Sequence, residues 1–160
     1  MKTVKTKKNG LTRRAFAVLA AAGICALTAA VPETAAAEGP ELHVFKSPYC
    51  GCCVAWADHM REAGFSVKVT DLEDVAPAKA HFGVADGLQS CHTAVVDGYV
   101  IEGHVPAQDV KRLLAERPQA TGLAVPGMPI GSPGMEQGDR HEPYEVVLFG
   151  KQGHSVYARH

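Results

Sequence analysis

A cluster of three cysteines within four residues constrains this chain more than any other feature of its sequence. The segment reads Cys50-Gly51-Cys52-Cys53 and lies between a short apolar strand candidate and a segment of helical periodicity. Cys50 and Cys53 have the spacing of a dithiol redox pair at a helix N-terminus, where the helix dipole favours the thiolate. Cys52 adds a third sulfur, and three clustered thiolates favour a soft metal such as Cu(I). The cluster therefore predicts thiol redox chemistry, metal binding or both.

The patterns on either side of the cluster predict an α/β domain with the element order β-α-β-α-β-β-α. The Asp97-Gly98 pair between two β-branched runs is the strongest short-range signal for a β-hairpin. Capping residues and prolines mark the ends of the helices, and the apolar face of the second helix is expected at Val75, Ala78 and Phe82. The expected elements are strands at 42–45, 65–69, 93–96 and 99–101, and helices at 52–63, 74–83 and 106–118.

A long segment rich in glycine and proline follows the third helix. Nine of the 22 residues from 122 to 143 are Gly or Pro, so regular structure is not expected there. Such a loop in a small domain is usually functional or disordered. Residues 146–149 and 155–158 then predict a closing β-hairpin, which would hold the far end of this loop in place.

Cys91 lies far from the cysteine cluster along the chain, but the predicted topology brings it close. In the order β-α-β-α-β-β-α, the residues that enter the third strand face the end of the first strand. The segment Ser90-Cys91-His92-Thr93 occupies this entry. We therefore expect Cys91 to lie within ~10 Å of Cys53, inside the range of shared thiolate or disulfide chemistry.

Residues 1–37 have the layout of an export signal. A basic segment, an apolar run dominated by alanine and a small-residue cleavage site follow one another at 2–14, 15–30 and 35–37. The apolar run is too short for a stable membrane span. Residues 12–16 resemble a twin-arginine signal, with ordinary secretion as the alternative. We therefore expect Cys25 to be removed with the signal, and residues 38–160 to form one periplasmic domain without a stable membrane anchor.

The charge distribution supports this division of the chain. Six of the 16 basic residues but only one of the 17 acidic residues precede residue 38. The expected domain therefore has 10 basic and 16 acidic residues and a net charge of −6. Because neutralising phosphates requires an excess of Lys and Arg, the composition argues against a general nucleic-acid-binding protein.

Three segments together resemble the CopG-like family of periplasmic metal-binding proteins. They are residues 46–53, residues 90–99, and the two Gly-Met dipeptides Gly127-Met128 and Gly134-Met135. The resemblance covers roughly residues 41–159 and implies a thioredoxin-like fold, copper binding through the CxCC motif with a distal cysteine, and a place in copper resistance. It implies copper ions, and periplasmic copper efflux or copper-oxidase proteins, as partners. The implied ligands are Cys50, Cys52, Cys53 and Cys91.

Two functions remain open at this point. The first is a periplasmic Cu(I)-binding protein of copper homeostasis, in which four sulfurs bridge several Cu(I) ions and thiol and copper redox chemistry are coupled. The second is a thiol-disulfide oxidoreductase without a metal, with Cys50 as attacking thiolate and Cys53 as resolving thiol. A binding protein is favoured over an enzyme. Zinc is a weaker alternative, because the CxCC spacing is tighter than that of usual zinc ligands. Two structural disulfides are also a weaker alternative, because the adjacent Cys52 and Cys53 point in different directions in a helix.

Further ligands are expected among one histidine and two methionines. His92 is adjacent to Cys91. Met128 and Met135 lie in a loop and do not belong to the apolar face of a helix, so their thioethers can serve as soft ligands. Trp56 is expected in the core. The histidines expected to be ordinary surface or strand residues are His43, His59, His81, His104 and His141, and no role is expected for His154 and His160.

Overall fold

A seven-stranded sheet organises the chain. The computed structural model describes residues 39–160, so the predicted export signal and the expectation for Cys25 lie outside the described residues. The elements in chain order are β1 (Glu41–Lys46), α1 (Gly51–Glu62), β2 (Ser66–Asp71), α2 (Ala76–His81), a 3-10 turn (Asp86–Leu88), β3 (His92–Val96), β4 (Tyr99–Glu102), α3 (Ala107–Glu116), β5 (Gly122–Ala124), β6 (Glu145–Gly150) and β7 (Gly153–Arg159). The strands lie in the order β2-β1-β3-β4-β5-β6-β7.

The strand directions confirm the predicted α/β fold and its element order. Strand β1 is parallel to β2 and antiparallel to β3, and β3 is antiparallel to β4 across the Asp97-Gly98 turn. This is the arrangement expected of a thioredoxin-like domain. It places the end of β1, where α1 begins, next to the start of β3. The cysteine cluster and Cys91 are therefore at the same edge of the sheet.

Helix α1 forms because its apolar residues recur on one face. Cys53, Trp56 and Met60 are fully buried on that face, which confirms the predicted core position of Trp56. The Trp56 Nε1–H donates to the carbonyl oxygen of Val105 at 2.9 Å. Gly64, at φ +94°, follows the helix in the left-handed conformation that glycine adopts without strain. Helix α1 is thereby held against the sheet, and its N-terminal turn has a defined position.

Helix α2 buries the predicted face, but that face also carries a charged residue that the sequence did not single out. The expected positions Val75, Ala78 and Phe82 are partly buried, and Lys79, which lies on the same face, is the buried residue of the helix. Asp74 accepts a hydrogen bond from the Ala76 N–H at 2.9 Å, as a residue that precedes a helix often does. Lys79 can be buried on this face because the carboxylate of Glu102 compensates its ammonium group.

The C-terminal third contains a strand that the composition did not predict. Residues Gly122–Ala124 form β5 and pair with β4 and β6, although the Gly/Pro content predicted irregular structure from residue 122. Gly122 makes this possible, since a Cβ there would lie 1.7 Å from the Val100 carbonyl oxygen. The rest of the loop has turns and one isolated bridge. The predicted closing hairpin is confirmed as β6 and β7.

Two groups of buried residues fill the two faces of the sheet. The larger group includes Trp56, Met60, Val110 and Leu113 from α1 and α3. The smaller group lies on the side of α2 and consists of Val84, Val100, Ala124 and Phe149. Among the helices of residues 39–160, none combines the length and the hydrophobicity that a membrane span requires.

Candidate metal centre

Cys50 and Cys53 occupy the first turn of α1 and form a disulfide. Cys50 is the N-cap of the helix, and its Sγ accepts a hydrogen bond from the Cys53 N–H at 3.3 Å. The two Cα atoms are 5.3 Å apart, a distance set by one helical turn. The sequence spacing therefore produces a dithiol pair that can close into a bond.

Cys52 and Cys91 are the two free cysteines of the described chain. The Cys52 Sγ is 3.5 Å from the Cys50 Sγ and 3.8 Å from the Cys91 Sγ. The four sulfurs all lie within 4.8 Å of one another. The expected proximity of Cys91 to Cys53 is therefore confirmed, and the alternative of two structural disulfides is not the arrangement seen.

The Cys91 thiol is held in its protonated form by its surroundings. Burial, together with the neighbouring Cys52, raises the pKa of Cys91 to about 12. A thiol with this pKa is a poor nucleophile at neutral pH. A bound cation reverses this preference, since metal ions bind the thiolate and release its proton.

His104 lies against Cys91, although the sequence predicted an ordinary surface or strand residue. The His104 Nε2 is 3.0 Å from the Cys91 Sγ, and its Nδ1 is 2.8 Å from the Pro133 carbonyl oxygen. Because a carbonyl only accepts, Nδ1 carries the proton and Nε2 presents its lone pair to the sulfur. Burial lowers the pKa of His104, so the imidazole is neutral. The expectation for His104 was wrong.

The hairpin register contained the signal for His104. In the β3–β4 ladder, Thr93 is opposite Glu102 and Val96 is opposite Tyr99. Continuing this antiparallel pairing outward places residue 91 opposite residue 104. The Asp97-Gly98 turn, which was recognised in the sequence, is sufficient to deduce the pair.

His92 is fully buried between the cysteines and the core. Its ring is 4.4 Å from the Trp56 ring and 5.1 Å from the His104 ring, centroid to centroid. Its Nδ1 is 3.5 Å from the Cys91 Sγ, and its Nε2 has no hydrogen-bond partner. Burial holds the pKa of His92 well below its usual value. The nitrogen that faces the Cys91 sulfur is therefore Nδ1, and the neutral imidazole could bind an ion beside this thiol only through that atom.

The Gly/Pro-rich loop closes over the first turn of α1. At Gly134, a Cβ would lie 2.7 Å from both the Cys52 carbonyl oxygen and the Trp56 backbone nitrogen, so the loop backbone lies directly against the helix. The loop also contacts the Cys91 side, since the Gly127 N–H donates to the Gln89 carbonyl oxygen at 3.1 Å. Met135 is partly buried, whereas Met128 is 52% exposed. The roles of these two methionines as ligands stay predictions.

A buried ion pair supports the segment that carries Cys91 and His92. The Lys79 Nζ donates to Glu102 Oε1 at 2.6 Å. The same carboxylate accepts the Ser90 N–H at 2.7 Å and the Thr93 hydroxyl at 2.6 Å. Glu102 thus holds the residues on both sides of the Cys91-His92 pair. Sequence reasoning missed this network because a lysine in a helix is ordinarily exposed.

The remaining histidines lie outside the cysteine cluster. His43 contacts the Thr70 hydroxyl at 2.8 Å, and His59 accepts the Ala107 N–H at 3.3 Å. His160 pairs with Asp109 at 2.7 Å. The side chains of His81, His141 and His154 are exposed.

The fold and the site together define a thioredoxin-like protein with a cluster of four cysteines that could hold a metal ion. A family model described as "Protein of unknown function, DUF411" matches residues 88–135. Two solved structures, of copper resistance protein CopG in Form 2 and Form 1, are each 44% identical to this chain with a TM-score of 0.73. They cover 77% of this chain, and the alignments cover 99% and 98% of the CopG chains. No curated protein matches the chain significantly.

The identity and the coverage establish the family. The chain belongs to the family of the CopG copper resistance proteins, as the cysteine and Gly-Met motifs indicated. The residues matched by the family model include Cys91, His92 and His104.

Proposed function

We propose that this protein binds Cu(I) in the periplasm as part of copper homeostasis and resistance. The observation that carries the proposal is the convergence of four cysteine sulfurs within 4.8 Å of one another. Thiolates are the ligands that Cu(I) prefers, and four sulfurs at this spacing can bridge more than one ion. The relatives named copper resistance protein support copper as the metal.

The ligands proposed are Cys50, Cys52, Cys53 and Cys91. The disulfide between Cys50 and Cys53 makes two of them available only after reduction. Copper binding through all four sulfurs is therefore linked to thiol redox state. Closing the disulfide from two thiolates releases two electrons, and two Cu(II) ions accept them to become two Cu(I) ions. The same bond formation removes two donors, which favours transfer of copper to an efflux or oxidase partner.

The decisive experiment is metal content per chain after anaerobic Cu(I) loading of the reduced protein. We expect more than one copper per chain, and a lower content in both Cys52→Ser and Cys91→Ser. The exposed His81 serves as a matched control, because His81→Gln removes an imidazole that is not part of the cysteine cluster. Absence of bound copper in the reduced wild-type protein would refute the proposal. Zinc bound at one ion per chain and not displaced by copper would also refute it.

A second candidate function is thiol-disulfide exchange without a metal, which the Cys50–Cys53 disulfide favours. This function predicts reduction of a disulfide substrate by the Cys50 thiolate, with Cys53 as the resolving thiol. It should survive Cys52→Ser and Cys91→Ser, whereas copper content should not. Full reductase activity in both variants, together with no copper binding, would favour this candidate.

The location is proposed from the N-terminal sequence. A twin-arginine-like signal at residues 1–37 would export the folded domain of residues 38–160. Mass spectrometry of the protein recovered from the periplasm should show a chain that begins near residue 38. A full-length chain retained in the cytoplasm would contradict this location.

A further inference from the structure

We propose that the edge of the sheet where β1 ends and β3 begins is a docking face for a dithiol protein with a basic surface, which reduces the Cys50–Cys53 disulfide. The inference rests on the proposed copper function and names the class of partner that returns the oxidised protein to its four-thiol form. Exchange with Cys52 or Cys91 only moves the bond within the chain. The two electrons that remove the disulfide therefore come from another molecule.

Exposed apolar side chains gather around the disulfide. The structure describes four large hydrophobic residues that are exposed, and they are Tyr49, Val54, Met128 and Val156. Tyr49, which is 84% exposed, directly precedes Cys50, and Val54 directly follows Cys53. Exposed apolar groups that gather in one place mark interaction sites, and aromatic residues are enriched at the centres of protein interfaces. We call Tyr49, Val54 and Met128 the apolar patch.

Met128 reaches the same place from the Gly/Pro-rich loop. Its neighbour Gly127 donates its N–H to the Gln89 carbonyl oxygen at 3.1 Å. Cys91 follows two residues after Gln89, and its Sγ is 3.8 Å from the Cys52 Sγ. The loop therefore adds an exposed thioether on the side of the cysteines opposite to the start of α1.

The rim of this face is acidic. Strands β1, β2, β4 and β5 end at this edge, and β3 and β6 begin there. The segments that join at the edge are residues 47–54, 72–75, 86–91, 103–106 and 125–144. They contain one basic residue, Arg140, and six acidic residues, all of them exposed: Glu73, Asp74, Asp86, Glu136, Asp139 and Glu142.

Two of the acidic residues are tied by hydrogen bonds to the surroundings of the cysteines. Glu136 Oε1 accepts the Gly134 N–H at 3.0 Å, and Gly134 lies against the backbone of Cys52. Asp86 accepts a hydrogen bond from the Gln89 side chain at 3.2 Å, two residues before Cys91. The negative charge therefore lies beside the apolar patch.

The buried cations of this edge do not compensate the acidic rim. Lys46 is paired with Asp71 at 2.7 Å, and Lys79 is paired with Glu102 at 2.6 Å. The exposed carboxylates thus face solvent with an excess of negative charge. Such a face attracts a partner with a basic rim and repels anionic thiols. The apolar patch inside the rim favours a protein over a small cationic thiol, because a protein can cover the patch.

The reaction begins at Cys50, which is partly exposed, whereas Cys53 is fully buried. A thiolate of the partner attacks the Cys50 Sγ, the Cys50–Cys53 bond breaks, and Cys53 leaves as a thiolate that takes up a proton. The second thiolate of the partner then attacks the partner's sulfur in this mixed disulfide and releases Cys50. The partner leaves as a disulfide, and this chain has gained two electrons and two protons.

The first test compares two reductants that differ only in charge. The probes are two peptides with the same Cys-x-x-Cys dithiol and a neighbouring leucine, flanked by lysines in one and by glutamates in the other. Each rate is divided by the rate of the same peptide with a small neutral disulfide, which corrects for thiol reactivity. We expect the lysine peptide to be faster by about tenfold at low salt. This advantage should shrink at about 0.5 M salt.

Variants of the face test the two parts of the argument separately. Asp86→Lys/Glu136→Lys should remove most of the advantage of the lysine peptide. Tyr49→Ser should slow both peptides by about fivefold, as loss of a central aromatic contact does. The matched control is Val156→Ser, an exposed apolar residue on β7, which should leave all rates unchanged. Dithiothreitol, which is small and uncharged, should reduce every variant at the wild-type rate.

The second test measures the disulfide in cells, where the natural partner is present. Acid quenching followed by alkylation in urea gives the fraction of protein in which Cys50 and Cys53 are reduced. This fraction should be lower in Tyr49→Ser and in Asp86→Lys/Glu136→Lys than in the wild-type protein and in Val156→Ser.

Equal corrected rates for the two peptides would overturn the inference, and so would equal reduced fractions in cells for the wild-type protein and the variants of the face. A defect of Tyr49→Ser in copper loading rather than in reduction would also overturn it and would assign the face to copper exchange. Failure of the proposed copper function is seen separately, because anaerobic Cu(I) loading uses chemically reduced protein and needs no partner.

Discussion

Replacing Glu102 by glutamine should destabilise the protein by about 3–5 kcal/mol, because it leaves the Lys79 ammonium buried without its counter-ion. The side chains of Lys79 and Glu102 are 4% and 0% exposed, so solvent does not screen the pair. The substitution also weakens the acceptor for the Ser90 N–H and the Thr93 hydroxyl. Both hydrogen bonds hold the segment that carries Cys91. We therefore expect a loss of stability together with a weaker copper site.

The assay is urea unfolding followed by the fluorescence of Trp56, the single tryptophan of the chain. Trp56 is fully buried beside His92, so its emission reports on the region of interest. With a urea m-value of about 2 kcal/mol/M, the midpoint should fall by roughly 2 M. All proteins are compared in the same redox buffer, so that the disulfide is in one state throughout.

Two controls separate the buried pair from charge effects in general. Asp58 and Arg61 form an ion pair at 2.6 Å whose side chains are 58% and 44% exposed. Asp58→Asn should cost less than about 1 kcal/mol, as exposed pairs do. The double change Lys79→Met/Glu102→Gln removes both buried charges and should recover most of the lost stability. A loss below about 1 kcal/mol in Glu102→Gln, or no recovery in the double variant, would refute the reasoning.

Three further predictions follow from other parts of the site. Burial lowers the pKa values of His92 and His104, so below about pH 6.5 the unfolded chain binds protons that the folded protein does not. The urea midpoint of the metal-free protein should therefore fall as the pH drops below about 6.5. The His104→Gln variant should show a smaller fall of the midpoint with pH. Because the pKa of Cys91 is raised to about 12, alkylation of this thiol by iodoacetamide at pH 8 should be slow in the folded metal-free protein and fast in urea. Mass spectrometry of the labelled peptide measures both rates. Rapid labelling in the folded state would contradict the burial argument. Gly134→Ala should destabilise the protein by about 1–3 kcal/mol in the same unfolding assay, because the new Cβ at φ +83° meets the backbone of α1. Gly127→Ala is the control, because Gly127 has φ +69° and open space around its Cβ position, so this variant measures only the cost of placing alanine at a positive φ. An equal loss of stability in the two variants would show that the close contact at Gly134 contributes nothing.

Local patterns were sufficient for most of the fold. The periodicity of Cys53, Trp56 and Met60 and the glycine after the helix predicted α1, and the structure has all three residues buried on one face. The Asp97-Gly98 turn predicted the β3–β4 hairpin in the same way. These predictions succeeded because helical periodicity and turn conformation depend on neighbouring residues. Strand β5 was missed because its three residues are stabilised by pairing with β4 and β6 rather than by their own preferences.

The metal-type site was predicted only in part. The expectation that Cys91 lies near the cluster followed from topology and is confirmed by the 3.8 Å between its sulfur and that of Cys52. His104 was assigned no special position, yet it lies 3.0 Å from the Cys91 sulfur. Lys79 was not singled out in the sequence, and the Glu102 that compensates its charge lies 23 residues away in the chain. Pairing of charges across such distances leaves no periodic pattern.

By itself, the amino-acid sequence determined the types of ligand atoms that this protein has, the order of its strands and helices from β1 to α3, and the placement of two cysteines one helical turn apart. Each of these depends on covalent order and on interactions within a few residues. Only the tertiary structure decided the distances at which the imidazoles meet the Cys91 sulfur and which buried charge supports Cys91. It also decided that the glycine-rich loop lies against the first turn of α1. These contacts depend on how the sheet edge, two helices and a loop pack together, and their distances follow from that packing.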